Sequence, residues 1–254
     1  DIAAQSLRSS KEQELNRLIL ILCVAMIVPL VDWKQAPSDE ELGFAYWQAA
    51  ELLERDGVDA ALAFSSATGF ADDDGQTLHA SLGLFKEGLC QIKDCAVDRA
   101  GWRRRAERLA SVADRASNPY YAILVSGSYL AGGDEDMARR WLWLACPESS
   151  VDCVLGLVDR LQQELVKNFS YDAIDVAHYF DTASTAYSLL GDQRFLEHRI
   201  TAGAAYRVEL GERLMAVAES RGLSRQAAQS AFCSGLLLGR YPDRHDGPVD
   251  YPGC

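Results

Sequence analysis

The sequence predicts an all-α fold of antiparallel helix pairs, either an α-solenoid or a repeat-like bundle, preceded by one N-terminal hydrophobic helix. Three observations predict it. Apolar residues recur at three- and four-residue steps along most of the chain, the spacing that lines one face of a helix. Between Ser38 and Arg240 there are only two prolines, Pro119 and Pro147, and both fall where a helix can begin and the missing N–H costs nothing. No stretch shows the apolar–polar alternation of a half-buried strand.

The first element is the uncharged run Leu18 to Val31, LILILCVAMIVPLV, closed by Arg17 and Asp32. Its 14 residues fall short of the roughly 20 that span a bilayer as a helix. Extension over residues 15–33 lengthens it, with Arg17 snorkelling and Trp33 at the interface. Arg8, Lys11 and Arg17, partly offset by Glu12 and Glu14, precede it as in a secretory signal. No small-x-small cleavage site follows, and Leu22 before Cys23 does not suit a lipoprotein signal. The expectation is an uncleaved signal-anchor within residues 1–35. It would leave a cytoplasmic stub and hold the rest outside a bacterial inner membrane. The alternative is a buried core helix of a soluble protein.

Residues 36–240 are expected to form the helical domain. Ser38-Asp-Glu-Glu41 reads as a capping box that opens a helix through about Arg55, with Leu42, Ala45, Tyr46, Ala49 and Leu53 on its apolar face. Asp72, Asp73, Asp74 and Gly75 read as a loop, and they lack the alternating register of a calcium site. Helices are predicted near Thr77 to Cys90 and Asp98 to Ala116. Pro119 starts a shorter one that ends at Gly132-Gly133, and Asp134 caps the next through about Ala145. Val154, Leu157, Val158, Leu161 and Leu165 define a further face. Ala173 to Leu190 defines another, with Val176, Ala177, Phe180, Tyr187 and Leu190 turned inward. Two more helices are predicted over about Gln193 to Arg221 and Ser224 to Leu238, with Ser224 as the N-cap of the last. Residues 241–254 hold three prolines and two glycines and read as an irregular tail.

The 254 residues are 48% apolar, enough for a sizeable core, and carry a net charge of −12. That charge excludes nonspecific nucleic-acid binding, which needs a basic footprint to displace counterions from phosphates. It suits solubility or a basic protein partner.

Of seven cysteines, Cys23 lies in the hydrophobic run, which leaves six. Cys90 and Cys95 form one close set, Cys146 and Cys153 another, and Cys233 and Cys254 remain. Six cysteines allow fifteen pairings, of which the sequential one is simplest. Disulfides persist in an exported domain, so this reading agrees with the signal-anchor. Unrelated buried thiols and a metal site are the alternatives. The spacings fit zinc poorly, so neither a metal nor a cofactor is expected.

The segment Asn118 to Leu157, NPYYAILVSGSYLAGGDEDMARRWLWLACPESSVDCVLGL, resembles a Sel-like repeat, a relative of the tetratricopeptide repeat. Ala122, Gly127, Tyr129, Gly132, Ala138, Trp141, Leu144 and Ala145 fall close to that family's small and aromatic packing positions. Residues 44–88 and 182–214 are loosely similar. Cysteine-rich bacterial members resemble the Cys146 … Cys153 arrangement, which implies a bridge from one repeat to the next. The resemblance also implies protein–protein binding, as in envelope adaptors or immunity proteins to secreted toxins.

No G-x-S-x-G, Walker, G-x-G-x-x-G or H-E-x-x-H motif is present, and no catalytic residue is assigned. Asp175-x-x-His178-x-x-Asp181 places three polar groups on one helix face, which suits a general base or simply a solvated face. His245 stands in the tail, and His79 and His198 have no suggestive neighbours. The binding candidates are the basic group Arg103, Arg104, Arg105 and Arg108, and Trp143, two residues from a core Trp141. The leading expectation is a membrane-tethered periplasmic protein that binds another protein. The alternatives are a structural subunit of a membrane or secretion complex, and an enzyme with a site around His178.

Overall fold

The structure, a computed structural model, describes residues 39–67, 73–93, 97–111, 118–167, 173–239, 251 and 253–254. The hydrophobic segment, the side chain of Cys90, Cys95 and His245 lie outside the described residues. Among those described there are eleven helices and no strand. In chain order they are α1 (Asp39–Arg55), α2 (Val58–Ala67), α3 (Asp73–Lys93), α4 (Arg99–Ala110), α5 (Pro119–Ala131) and α6 (Glu135–Ala145). They continue with α7 (Val151–Lys167), α8 (Ala173–Leu190), α9 (Arg194–Tyr206), α10 (Val208–Ser220) and α11 (Arg225–Leu238). None of the described helices is long and apolar enough to cross a membrane.

Local chemistry sets most of the helix starts. Asp98 accepts from the Gly101 amide, Asn118 from the Tyr120 and Tyr121 amides, Asp134 from Met137 and Ser224 from Ala227. Each satisfies an amide that the first helical turn leaves without a partner. Pro119 occupies the first turn of α5, and Gly133 reverses the chain after it at a φ of 80°.

The predicted faces are largely the buried ones. Ala49 and Leu53 of α1, and Val154, Leu157, Val158 and Leu165 of α7, are buried. The helix α8 goes further. Between Ala173 and Ala186 every residue is buried except Asp175, which is exposed, and His178, which is half-buried. It touches α1, α3, α5, α6, α7 and α9, so it is the axis of the molecule. Phe180 of α8 meets Phe85 of α3 edge-on at 5.2 Å, and Phe85 meets Tyr206 of α9 at 5.0 Å. Such edge-to-face pairs add about 0.5–1.5 kcal/mol beyond their burial. Tyr206 and Arg207 also donate to the carbonyls of Leu53 and Glu54, 153 residues earlier, at the end of α1. The helices therefore form a bundle closed around α8, whereas in an open solenoid each unit would touch only its neighbours.

Four details depart from the sequence reading. Asp73, Asp74 and Gly75 begin α3 instead of forming a loop. The helix α2 was not expected; Ala61 and Ser65 are its buried residues. The helix after Asp98 stops at Ala110, before Ala116. The expected single helix from Gln193 to Arg221 is two, broken at Arg207, whose φ and ψ of −155° and 137° are extended. The break lets α10 fold back on α9, with Gly211 so close to Ala204 that a Cβ there would sit 2.6 Å from the Ala204 Cβ.

Two disulfides are present among the described cysteines. Cys146 pairs with Cys153 across the α6–α7 corner at a Cα separation of 5.8 Å, and Cys233 of α11 pairs with Cys254 at 5.4 Å. Beside the second, Tyr251 packs on Phe232 at 4.7 Å and donates to Glu212.

Candidate functional site

Asp181, Ser184, Thr185 and Ser188 follow one another at the spacing that lines a single helix face, on the most buried helix of the fold. This polar stripe forms one wall of a cavity of about 210 Å³. Leu84, Glu87 and Gly88 of α3, and Gly127, Leu130 and Ala131 of α5, line the other sides, with Val97, Arg99 and Gly133 at the edge. Exposure separates floor from mouth. Asp181, Ser184 and Thr185 are buried, whereas Ser188, Val97, Arg99 and Gly133 are exposed. Gly127 makes the floor possible, since a Cβ on it would lie 2.6 Å from the Thr185 hydroxyl oxygen and 2.9 Å from a Leu84 methyl.

The polar groups of this cavity are incompletely paired. Ser81 donates to one oxygen of Asp181 at 3.0 Å. Trp102 donates its indole N–H to one oxygen of Glu87 at 2.9 Å. The other oxygen of each carboxyl, and the Ser184 hydroxyl, have no hydrogen-bond partner. Burial pushes the Asp181 carboxyl well above the usual range, and the Ser81 hydrogen bond only partly opposes it.

The structure keeps the three described histidines apart in separate contacts. His178 lies edge-on to Tyr120 at 6.2 Å, and burial lowers it to about 4. With Asp181 it lines a narrow crevice next to the cavity, whereas Asp175 is exposed, so the expected trio is split. His79 bonds Ser65 at 2.7 Å and is lowered to about 4 by burial, aided by Arg105 and Arg108. His198 bonds the Tyr179 hydroxyl at 2.7 Å and lies 3.3 Å from Asp159; burial lowers it too. Among the described residues no group of three or more His, Cys, Asp or Glu side chains is arranged to hold a metal ion.

The basic group on α4 divides in two. Arg103 donates to the Gly132 carbonyl at 2.9 Å and so caps the end of α5. Arg105 stacks over the Trp102 ring at 4.5 Å, and burial lowers its guanidinium. Arg104 and Arg108, one turn apart, are exposed. Trp143 is half-buried against the core, and its neighbour Leu144 is the exposed apolar residue, at 57%.

Sequence reasoning reached Asp181, through its spacing from His178, and missed Glu87, Ser184 and the cavity. The available signal was four polar residues, Asp181, Ser184, Thr185 and Ser188, at helical spacing within one helix. No family model, curated protein or solved structure matches the chain.

Proposed function

We propose that this chain is a membrane-tethered helical protein of the bacterial periplasm that acts by binding another protein, as an envelope adaptor or an immunity protein to a secreted toxin. The observation that carries the reading is the pair of disulfides at the α6–α7 corner and at the C-terminus. Two bridges in one chain are at home in an oxidising compartment, where thiols are not kept reduced. The hydrophobic run 15–33 supplies a tether in the same direction.

For recognition, Arg104 and Arg108 present adjacent guanidinium groups on a chain whose net charge is −12. A cationic strip on an acidic molecule gives a partner both an orientation and a register. The acidic remainder of the surface suits a partner with basic groups around an acidic centre.

The test has two arms. Mass mapping of native protein without reductant, together with reporter fusions at the C-terminus, checks location. Fully reduced Cys146, Cys153, Cys233 and Cys254 would sink the export reading. A photo-crosslinking side chain at position 104, in cells, should give one discrete adduct that Arg108→Glu diminishes. A ladder of adducts unaffected by Arg108→Glu would remove the strip from the partner surface.

A further inference from the structure

We infer that the cavity between α3, α5 and α8 is a binding site for a small primary ammonium compound with a short aliphatic body, held by Glu87, Asp181 and Ser184. The inference stands apart from the partner surface and from the location of the protein.

Four buried side-chain polar atoms among the described residues lack a hydrogen-bond partner, and three of them belong to Glu87, Asp181 and Ser184. All three residues line this one cavity. Asp181 is 4% exposed and Ser184 8%, so bulk water does not serve them. Buried polar groups are otherwise paired, because an unmade hydrogen bond costs about 1–3 kcal/mol. Orphans gathered around one space therefore mark a place where a ligand completes them.

The chemistry of the orphans selects the ligand. Two are carboxyl oxygens and one is a hydroxyl; Glu87 and Ser184 can accept, and Asp181 accepts once a bound cation favours its ionised form against the burial that raises it. An alkylammonium head offers three donors and a positive charge, which matches three acceptors and two acidic groups. Leu84 and Leu130 line the cavity and suit a methylene chain. The volume of about 210 Å³ is below the roughly 300–1,000 Å³ of pockets that hold drug-sized molecules, so the body is short. Arg99 stands at the mouth and disfavours a second cationic end, while a carboxylate there is attracted.

Titration calorimetry of the full chain tests this with 4-aminobutanoate, n-butylammonium chloride, putrescine and n-butanol. Saturable one-to-one binding of the first two is expected, with putrescine weaker and n-butanol silent. Asp181→Asn and Ser184→Ala should each weaken both amines roughly 10-fold or more, about the worth of a hydrogen bond to a charged group. Circular dichroism establishes that each variant folds. If Asp181→Asn does not fold, Glu87→Gln, which can still accept from Trp102, takes its place. Failure of both amines to bind, equal binding by the variants, or equal binding of n-butanol overturns the inference. Binding of magnesium or calcium chloride at this site in place of the amines overturns it as well.

Discussion

Asp181 and His178 sit one turn apart on α8 and respond to pH in opposite directions. Burial holds the His178 ring neutral down to about 4, while the unfolded chain protonates it near 6.5. The unfolded state thus binds more protons in that window, and the His178 contribution to stability is lost as pH falls from about 6.5 toward 4. Urea unfolding of His178→Gln should show a flatter acid limb than the parent. For Asp181 the folded carboxyl is held protonated above its ordinary value of 3.8, so its contribution is present at acid pH and lost as pH rises above that value. Asp181→Asn keeps an acceptor for Ser81 without the carboxyl. In the absence of ligand it should raise stability at pH 7 by about 1–3 kcal/mol, and the gain should shrink toward pH 4. An unchanged or lower stability at pH 7 would mean that the second carboxyl oxygen is satisfied. A group that weakens the empty fold and completes a ligand site is the expected signature of function.

Elements were readable where their ends carry chemistry. Asp134 and Ser224 are N-caps in the structure as the sequence predicts, and Asn118 caps the helix predicted to start at Pro119, because a short polar side chain before an apolar run has one favourable use there. Asn118→Ala should cost about 1 kcal/mol in thermal or denaturant unfolding. The break at Arg207 was unreadable for the converse reason. Tyr206, Arg207 and Val208 carry no proline or glycine, and the turn is imposed by tertiary packing of Gly211 on Ala204. The start of α3 was missed because three aspartates serve a loop and a helix N-terminus equally well. The cavity was hidden for a further reason: its walls come from three helices distant in sequence, and only the α8 wall is a pattern within one segment. At the crossing of those helices, Gly127→Ala would push a methyl between Thr185 and Leu84. It should cost about 1–3 kcal/mol and reduce the cavity, a loss that titration with n-butylammonium would register.

Across the whole molecule, the fold class was visible in periodicity and in the scarcity of prolines, whereas closure around α8 was not, since no local pattern encodes which helix becomes the axis. Of the sequential pairing expected for six cysteines, Cys146–Cys153 and Cys233–Cys254 are present, and the third pair, the Cys90 side chain with Cys95, lies outside the described residues. The second bridge spans 21 residues, so Cys254→Ser should lower stability by about 3 kcal/mol in the chain-entropy account. Reductant also opens Cys146–Cys153, so calorimetry with and without it should show a larger loss for the parent than for the variant, the difference being the worth of this bridge. The contacts of Tyr206 and Arg207 with the end of α1 have a temporal consequence. The last carbonyls of a helix need outside donors, and for α1 two come from residues 153 positions later in synthesis. A nascent chain that ends before Tyr206 carries α1 without its seal. The helix α1, made well before α9, is thus sealed only once α9 is present, and ribosome-bound intermediates should expose α1 to protease until α9 has emerged.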